Sequence, residues 1–166
     1  MRVFYLLGYC LAALFLQMTV FSAFAPGGII PYLVLLPVVF AAFWSGRGEG
    51  ALLGLWSGFL VDIAAGYNMG QHALATAATG YLVGLAHNKI YKESAVLLTL
   101  LTFLATVVHQ LFYYLLLGLS GVAVSPALAL GRVIFPTALY TAAFVPLLFR
   151  HFYRWLFRYR WREQEY

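Results

Sequence analysis

The chain has 166 residues, of which 64% are hydrophobic and only 9% are charged, and its formal net charge is +5. A soluble domain carries roughly 25% charged residues, so this composition argues against a water-soluble globule and predicts side chains that face lipid. The single cysteine, Cys10, excludes a disulfide within the chain.

Six apolar stretches follow one another along the sequence, each judged against the roughly 20 residues that cross a bilayer as a helix. Gly, Pro and charged residues typical of turns separate them, and none alternates as barrel strands do. The stretches are Val3–Phe24, Ile29–Trp44, Glu49–Ala65, Gln71–Ala86, Ser94–Gly118 and Ala127–Phe149. We therefore predict an all-α integral membrane protein with a six-transmembrane-helix bundle at residues 1–149 and a basic aromatic tail at 150–166.

The first stretch also resembles a cleavable signal, because Arg2 precedes an apolar run that ends in Ala23-Phe24-Ala25. The run is longer than the usual apolar core of a signal peptide, which favours a retained membrane helix. The alternative leaves five helices and an N-terminus outside the cell.

The distribution of Lys and Arg predicts the orientation, since cytoplasmic loops carry the excess of basic residues. With the N-terminus inside, nine of the ten basic residues lie on the inner side and Arg132 alone lies on the outer side. Both termini are therefore predicted to be cytoplasmic, in a multi-pass protein of the bacterial cytoplasmic (inner) membrane.

Glycines recur every four residues on the third predicted helix, and a shorter pair lies on the fourth. This spacing places them on one helical face, where the lack of a side chain lets another helix approach closely. We expect either packing within the bundle or a docking groove for a partner's helix. The residues are Gly46, Gly50, Gly54, Gly58, Gly80 and Gly84.

Polar side chains within the predicted spans cluster toward the outer half of the bilayer. Ionisable residues inside a membrane are costly and suggest function, and Asp62 and Arg132 fall at similar depths, where pairing would offset part of their desolvation. Three interpretations stay open: a structural network centred on that pair, a surface for a partner's helix, or a small-molecule pocket. The predicted network comprises Gln17, Asp62, His72, His109, Gln110 and Arg132.

Catalytic, metal and cofactor chemistry has little support. Asp62 is the only carboxylate in the interior of a predicted span, since Glu49 lies at the cytoplasmic edge of its span. The base and orienting acid of a hydrolase are therefore missing. No nucleotide-binding or HExxH motif occurs, and the histidines lack metal-ligand spacing. We predict no enzyme, no metal and no cofactor.

The tail combines a stripe of arginines with aromatic residues. Aromatic side chains favour the membrane interface, and basic residues there attract anionic lipids. The tail is thus predicted to anchor the topology on anionic lipid or to dock a cytoplasmic protein, and nucleic acid is not an expected partner. Its arginines at four-residue spacing are Arg150, Arg154, Arg158 and Arg162.

Residues 30–84 resemble the rod shape-determining protein MreD family. The resemblance rests on the run Gly46-Arg-Gly-Glu-Gly50, on Asp62 followed by Gly66, on Met69-Gly70 with Ala73-Leu74, and on Gly80-Tyr-Leu-Val-Gly84. The proline of Ile30-Pro31-Tyr32 also fits, although Tyr32 stands where the family often has an acidic residue.

The resemblance implies a non-enzymatic scaffold of the cell-wall elongation machinery that maintains rod shape by directing lateral peptidoglycan synthesis. Its implied partner is the single-span protein MreC, and through it MreB, RodA and a class B penicillin-binding protein. The family is also distantly similar to the substrate-binding components of energy-coupling-factor transporters. The alternative function is therefore the substrate-binding subunit of a vitamin-type uptake transporter.

Overall fold

The computed structural model of the protein describes residues 2–23, 28–66, 69–87, 94–122 and 129–147. Over these ranges the chain forms α-helices and short π-helical segments, and no strand. Helix α1 spans Arg2–Leu16 and continues as a π-helical turn at Gln17–Phe21. The others are α2 (Leu35–Ser45), α3 (Arg47–Ala65), α4 (Gln71–Leu85), α5 (Ala95–Leu119) and α6 (Phe135–Ala143), which follows a π-helical segment at Ala129–Ile134.

The all-helical prediction is confirmed for the described residues. Three segments are long and apolar enough to cross a membrane, namely Arg47–Ala65, Ala95–Leu119 and Ala129–Leu147. Six spans and the orientation stay predictions. The tail at 150–166 and the loop that contains Lys89 and Lys92 lie outside the described residues.

Helix α2 is the centre of the bundle. Every residue from Leu35 to Phe43 is buried, and α1, α3, α4 and α5 all pack against it. A helix that is apolar on all sides is stable only where other elements surround it. At 11 residues, α2 is about 17 Å long, so it does not cross roughly 30 Å of hydrocarbon by itself.

The chain just before α2 is irregular although it is largely covered. The sequence predicts a helix from Ile29, but α2 begins only at Leu35. Pro31 has no N–H and disfavours helical conformation in the residue before it. Irregular backbone at membrane depth is tolerated where protein covers it, and here the Tyr32 N–H donates to Thr141 Oγ1 of α6 at 2.9 Å.

Three glycines at four-residue spacing on α3, Gly50, Gly54 and Gly58, form a glycine ridge that packs against α4. A Cβ added at Gly54 would lie 2.5 Å from the Thr76 carbonyl oxygen, and one at Gly50 would lie 2.7 Å from the Gly80 carbonyl oxygen. Gly58 and Gly84 likewise face backbone of the opposite helix. The two backbones therefore approach as closely as small-residue spacing allows.

This contact corrects the interpretation of the ridge as a docking groove. Gly50, Gly54, Gly58, Gly80 and Gly84 are all buried within the chain, so the ridge has no free face for a partner's helix. Gly46 has a different role, because its φ of 96° places it at the break between α2 and α3.

Replacing Gly54 with alanine should destabilise the protein by about 1–3 kcal/mol, the usual cost of overpacking, because the new methyl group collides with α4. Gly8 on α1 is the matched control, since a Cβ there meets nothing within 4 Å. Alanine at Gly8 should be neutral or stabilising by up to about 1 kcal/mol, given its higher helix propensity. Thermal unfolding of both variants in mild detergent measures the difference, and equal midpoints would contradict the close contact.

Candidate functional site

The carboxylate of Asp62 caps the neighbouring helix. Asp62 is fully buried in the last turns of α3. Its Oδ2 accepts hydrogen bonds from Gly70 N at 2.9 Å and Ala73 N at 3.0 Å, and its Oδ1 accepts one from His72 N at 3.1 Å. The first N–H groups of a helix have no partner within it, and negative charge is favourable at that end. Asp62 therefore satisfies the start of α4 from another helix.

The predicted pairing of Asp62 with Arg132 is wrong. Both residues are described, and the hydrogen bonds of the Asp62 carboxylate go to backbone N–H groups. Backbone donors compensate the buried charge, so Asp62 does not require a cation. The sequence places the two charges at similar depth but does not show that α4 begins beside Asp62.

Four stacked rings, inclined to one another by 12° to 25°, form a cluster beside this cap. The ring of His109 stacks on Tyr32 at a centroid distance of 4.4 Å, and the ring of His72 stacks on Tyr113 at 4.1 Å. The two imidazoles are 5.9 Å apart, and Tyr32 Oη lies 3.4 Å from His72 Nδ1. The structure thus brings together the predicted residues His72 and His109.

The two tyrosines of this cluster are functional candidates that the sequence reasoning missed. Tyr113 lies four residues after His109, on the same face of α5, and that spacing is a usable signal. Tyr32 gave no periodic signal, because it lies in the irregular segment before α2. His109 is completely buried, and neither of its ring nitrogens has a hydrogen-bond partner among the described residues.

The predicted glutamines are not part of one network. Gln17 is buried in the π-helical turn of α1, and its side-chain oxygen has no hydrogen-bond partner in the described part of the chain. Gln110 instead lines a groove with Arg132. A third glutamine outside the predicted network, Gln71 at the start of α4, donates through Nε2 to Ser120 Oγ at 2.6 Å.

The groove lies between α5 and the π-helical segment that precedes α6. Its volume is about 330 Å³. Tyr113 belongs both to the groove and to the ring cluster. The residues that line it are Gln110, Tyr113, Tyr114, Leu117, Ala129, Arg132, Val133 and Ile134.

A proline explains why the helix is widened at this point. Pro136 lacks an N–H, so the carbonyl of Arg132, four residues earlier, has no α-helical donor, and the proline ring crowds that carbonyl. π-Helical turns are rare, occur mostly inside α-helices and are frequent at functional sites. The segment ends at Ile134, just before Pro136.

Metal binding finds no geometric support in the described ranges, where no group of three or more His, Cys, Asp or Glu side chains comes together. The absence of a metal and of a cofactor stays a prediction. The arginines of the tail, Arg150, Arg154, Arg158 and Arg162, lie outside the described residues.

Comparison with protein families gives the observation that decides the classification. The family model described as rod shape-determining protein MreD matches residues 1–159. The chain belongs to the MreD family. Membership assigns this MreD-family chain a role in rod shape determination, and it agrees with helices apolar enough to span a membrane. Comparison with curated proteins and with solved structures returned no match.

Replacing Asp62 with alanine in this MreD-family protein should cost about 1–3 kcal/mol of stability, because it leaves buried N–H groups at the start of α4 without acceptors. Replacing Arg132 with alanine should cost less than about 0.5 kcal/mol, as for an exposed site. Thermal unfolding of both single variants and the double variant in detergent closes a double-mutant cycle.

The cycle isolates any energy between the two side chains. We expect a coupling energy below about 0.5 kcal/mol, because the effects of independent sites add to within that amount. A coupling above about 1 kcal/mol would indicate that Asp62 and Arg132 form an ion pair. That result would contradict the conclusion that the start of α4 is the partner of Asp62.

Proposed function

We propose that this protein is a non-enzymatic membrane scaffold of the cell-wall elongation machinery. It maintains rod shape by binding MreC and, through MreC, it works with MreB, RodA and a class B penicillin-binding protein in lateral peptidoglycan synthesis. The observation that carries the proposal is the family match across residues 1–159. The scaffold resides in the bacterial cytoplasmic membrane with six spans and both termini inside, and its tail binds anionic lipid or a cytoplasmic protein.

The geometry of the bundle supports a binding role. The carboxylate of Asp62 caps α4, and the glycine ridge is covered by the contact between α3 and α4. Neither feature is therefore open to a partner. What remains for a partner is the outward surface of the helices, which is apolar. A membrane helix is the kind of partner that such a surface fits, since packing between helices in lipid depends on close van der Waals contact.

The outward face of α1 carries small residues that would let the backbone of a partner's helix come close. Gly8, Leu11, Ala12 and Phe15 are all exposed on this face, and Gly8 and Ala12 have the four-residue spacing of small residues that membrane helices use to pack. We assign the membrane helix of MreC to this face.

A second candidate function is a substrate-binding subunit of a vitamin-type transporter. The groove of about 330 Å³ beside Arg132 favours it, because ligand sites are concave and have a few polar groups in an apolar lining. Tight binding of a vitamin by the purified chain alone, measured by equilibrium dialysis, would support this function over the scaffold.

Ala12→Trp should reduce the recovery of MreC about tenfold, which corresponds to a loss of roughly 1.4 kcal/mol of binding, because the larger side chain prevents the approach of a second helix. The measurement is co-purification of MreC from membranes in mild detergent, with the bound proteins identified by mass spectrometry. Leu104→Trp on α5 is the matched control, since Leu104 is also exposed to the outside.

The two parts of this proposal fail separately. Absence of MreC from the wild-type eluate contradicts the scaffold itself. Recovery of MreC with wild-type protein and equally with both variants contradicts only the assignment of α1 as the contact.

A further inference from the structure

The groove between α5 and the π-helical segment is mainly apolar and has a few polar residues in its lining. Leu117, Val133 and Ile134 give it an apolar wall, whereas Gln110 and Arg132 add an amide and a positive charge. Two tyrosines, a residue type that favours the level of the lipid headgroups, complete the lining. A ligand that matches it has a hydrocarbon part and a hydrogen-bonding anionic part.

Arg132 is a cation without a carboxylate partner in the described part of the chain. Asp62 and Glu49 are the only acidic residues there. Asp62 is fully buried and occupied by the start of α4, and Glu49 lies in the first turn of α3, at the opposite end of the bundle. Charged residues at membrane depth are costly unless they pair or reach the interface, so an anion at the groove complements Arg132.

The position of the groove favours a lipid as the source of that anion. Tyr113 lies six residues before the end of α5 at Leu119, or about 9 Å below it. The predicted orientation places this end of α5 in the outer half of the bilayer. An outer-leaflet phospholipid has its phosphate near that level and its acyl chains beside the apolar wall.

We propose that this groove is a binding site for an anionic phospholipid. Arg132 binds the phosphate, since a guanidinium matches phosphate oxygens with paired hydrogen bonds. Gln110 offers a further polar contact to the headgroup, and Leu117, Val133 and Ile134 contact an acyl chain. This site is separate from the MreC contact on α1 and does not depend on it.

The test is native mass spectrometry of the full chain in mild detergent with an equimolar mixture of phosphatidylglycerol and phosphatidylcholine. We expect the wild-type chain to retain one phosphatidylglycerol molecule. Arg132→Gln should reduce its occupancy about tenfold, the loss expected for one charge-assisted contact. The matched control is Arg47→Gln, which removes the same charge from an exposed position at the start of α3 and should leave retention unchanged.

A second variant keeps the proposal testable if Arg132→Gln fails to fold. Val133→Trp leaves the arginine in place and fills the groove from its rim, where Val133 is 51% exposed, and it should also abolish retention. The proposal is overturned if the wild-type chain retains no phosphatidylglycerol or if Val133→Trp retains it fully. It is also overturned if both arginine variants lose the lipid equally, since that result reports a general charge effect.

Discussion

The fold depends on the carboxylate of Asp62 in α3, which accepts hydrogen bonds from backbone N–H groups at the start of α4. Asp62 is fully buried and accepts hydrogen bonds from three backbone N–H groups at the start of α4. In lipid no water is available to satisfy such groups, so the cap offsets both the desolvation of the charge and that of the helix end. Gly50, Gly54 and Gly58 hold the same two helices in backbone contact. The register of α3 against α4 is therefore fixed both along the helix contact and at the start of α4.

The fixed pair of α3 and α4 organises the end of the bundle at which α4 begins. The start of α4 carries His72, whose imidazole stacks on Tyr113 of α5. On the other side, Tyr32 stacks on His109 and belongs to the irregular segment that leads into the buried helix α2. Pro31 keeps that segment out of the helix, and the Thr141 hydroxyl accepts its Tyr32 N–H. Polar and aromatic groups thus join α2, α4, α5 and α6 where the helices themselves are interrupted.

The two prolines that interrupt helices have different consequences. Before α2, Pro31 creates covered, irregular backbone that is used for packing. Before α6, Pro136 coincides with a π-helical segment that lines the groove with Arg132. In the proposed lipid site, the groove would give Arg132 access to the phosphate of a lipid. On the proposals made above, this rod shape-determining protein presents apolar helix faces to partners and the positive charge of Arg132 to a lipid headgroup.

Composition and hydropathy alone determined that the chain is helical and suited to lipid, because 64% hydrophobic residues leave no means of covering a soluble globule. The motif around Asp62 and the glycines determined the family. The four-residue spacing located a close helix contact and the histidines located the polar region, since both follow from helical periodicity. Only the tertiary structure decided which helix packs against the glycine ridge. It also decided which groups donate hydrogen bonds to the Asp62 carboxylate. Backbone N–H groups compete with arginine for a carboxylate, and the sequence does not show which of them lies within hydrogen-bonding distance.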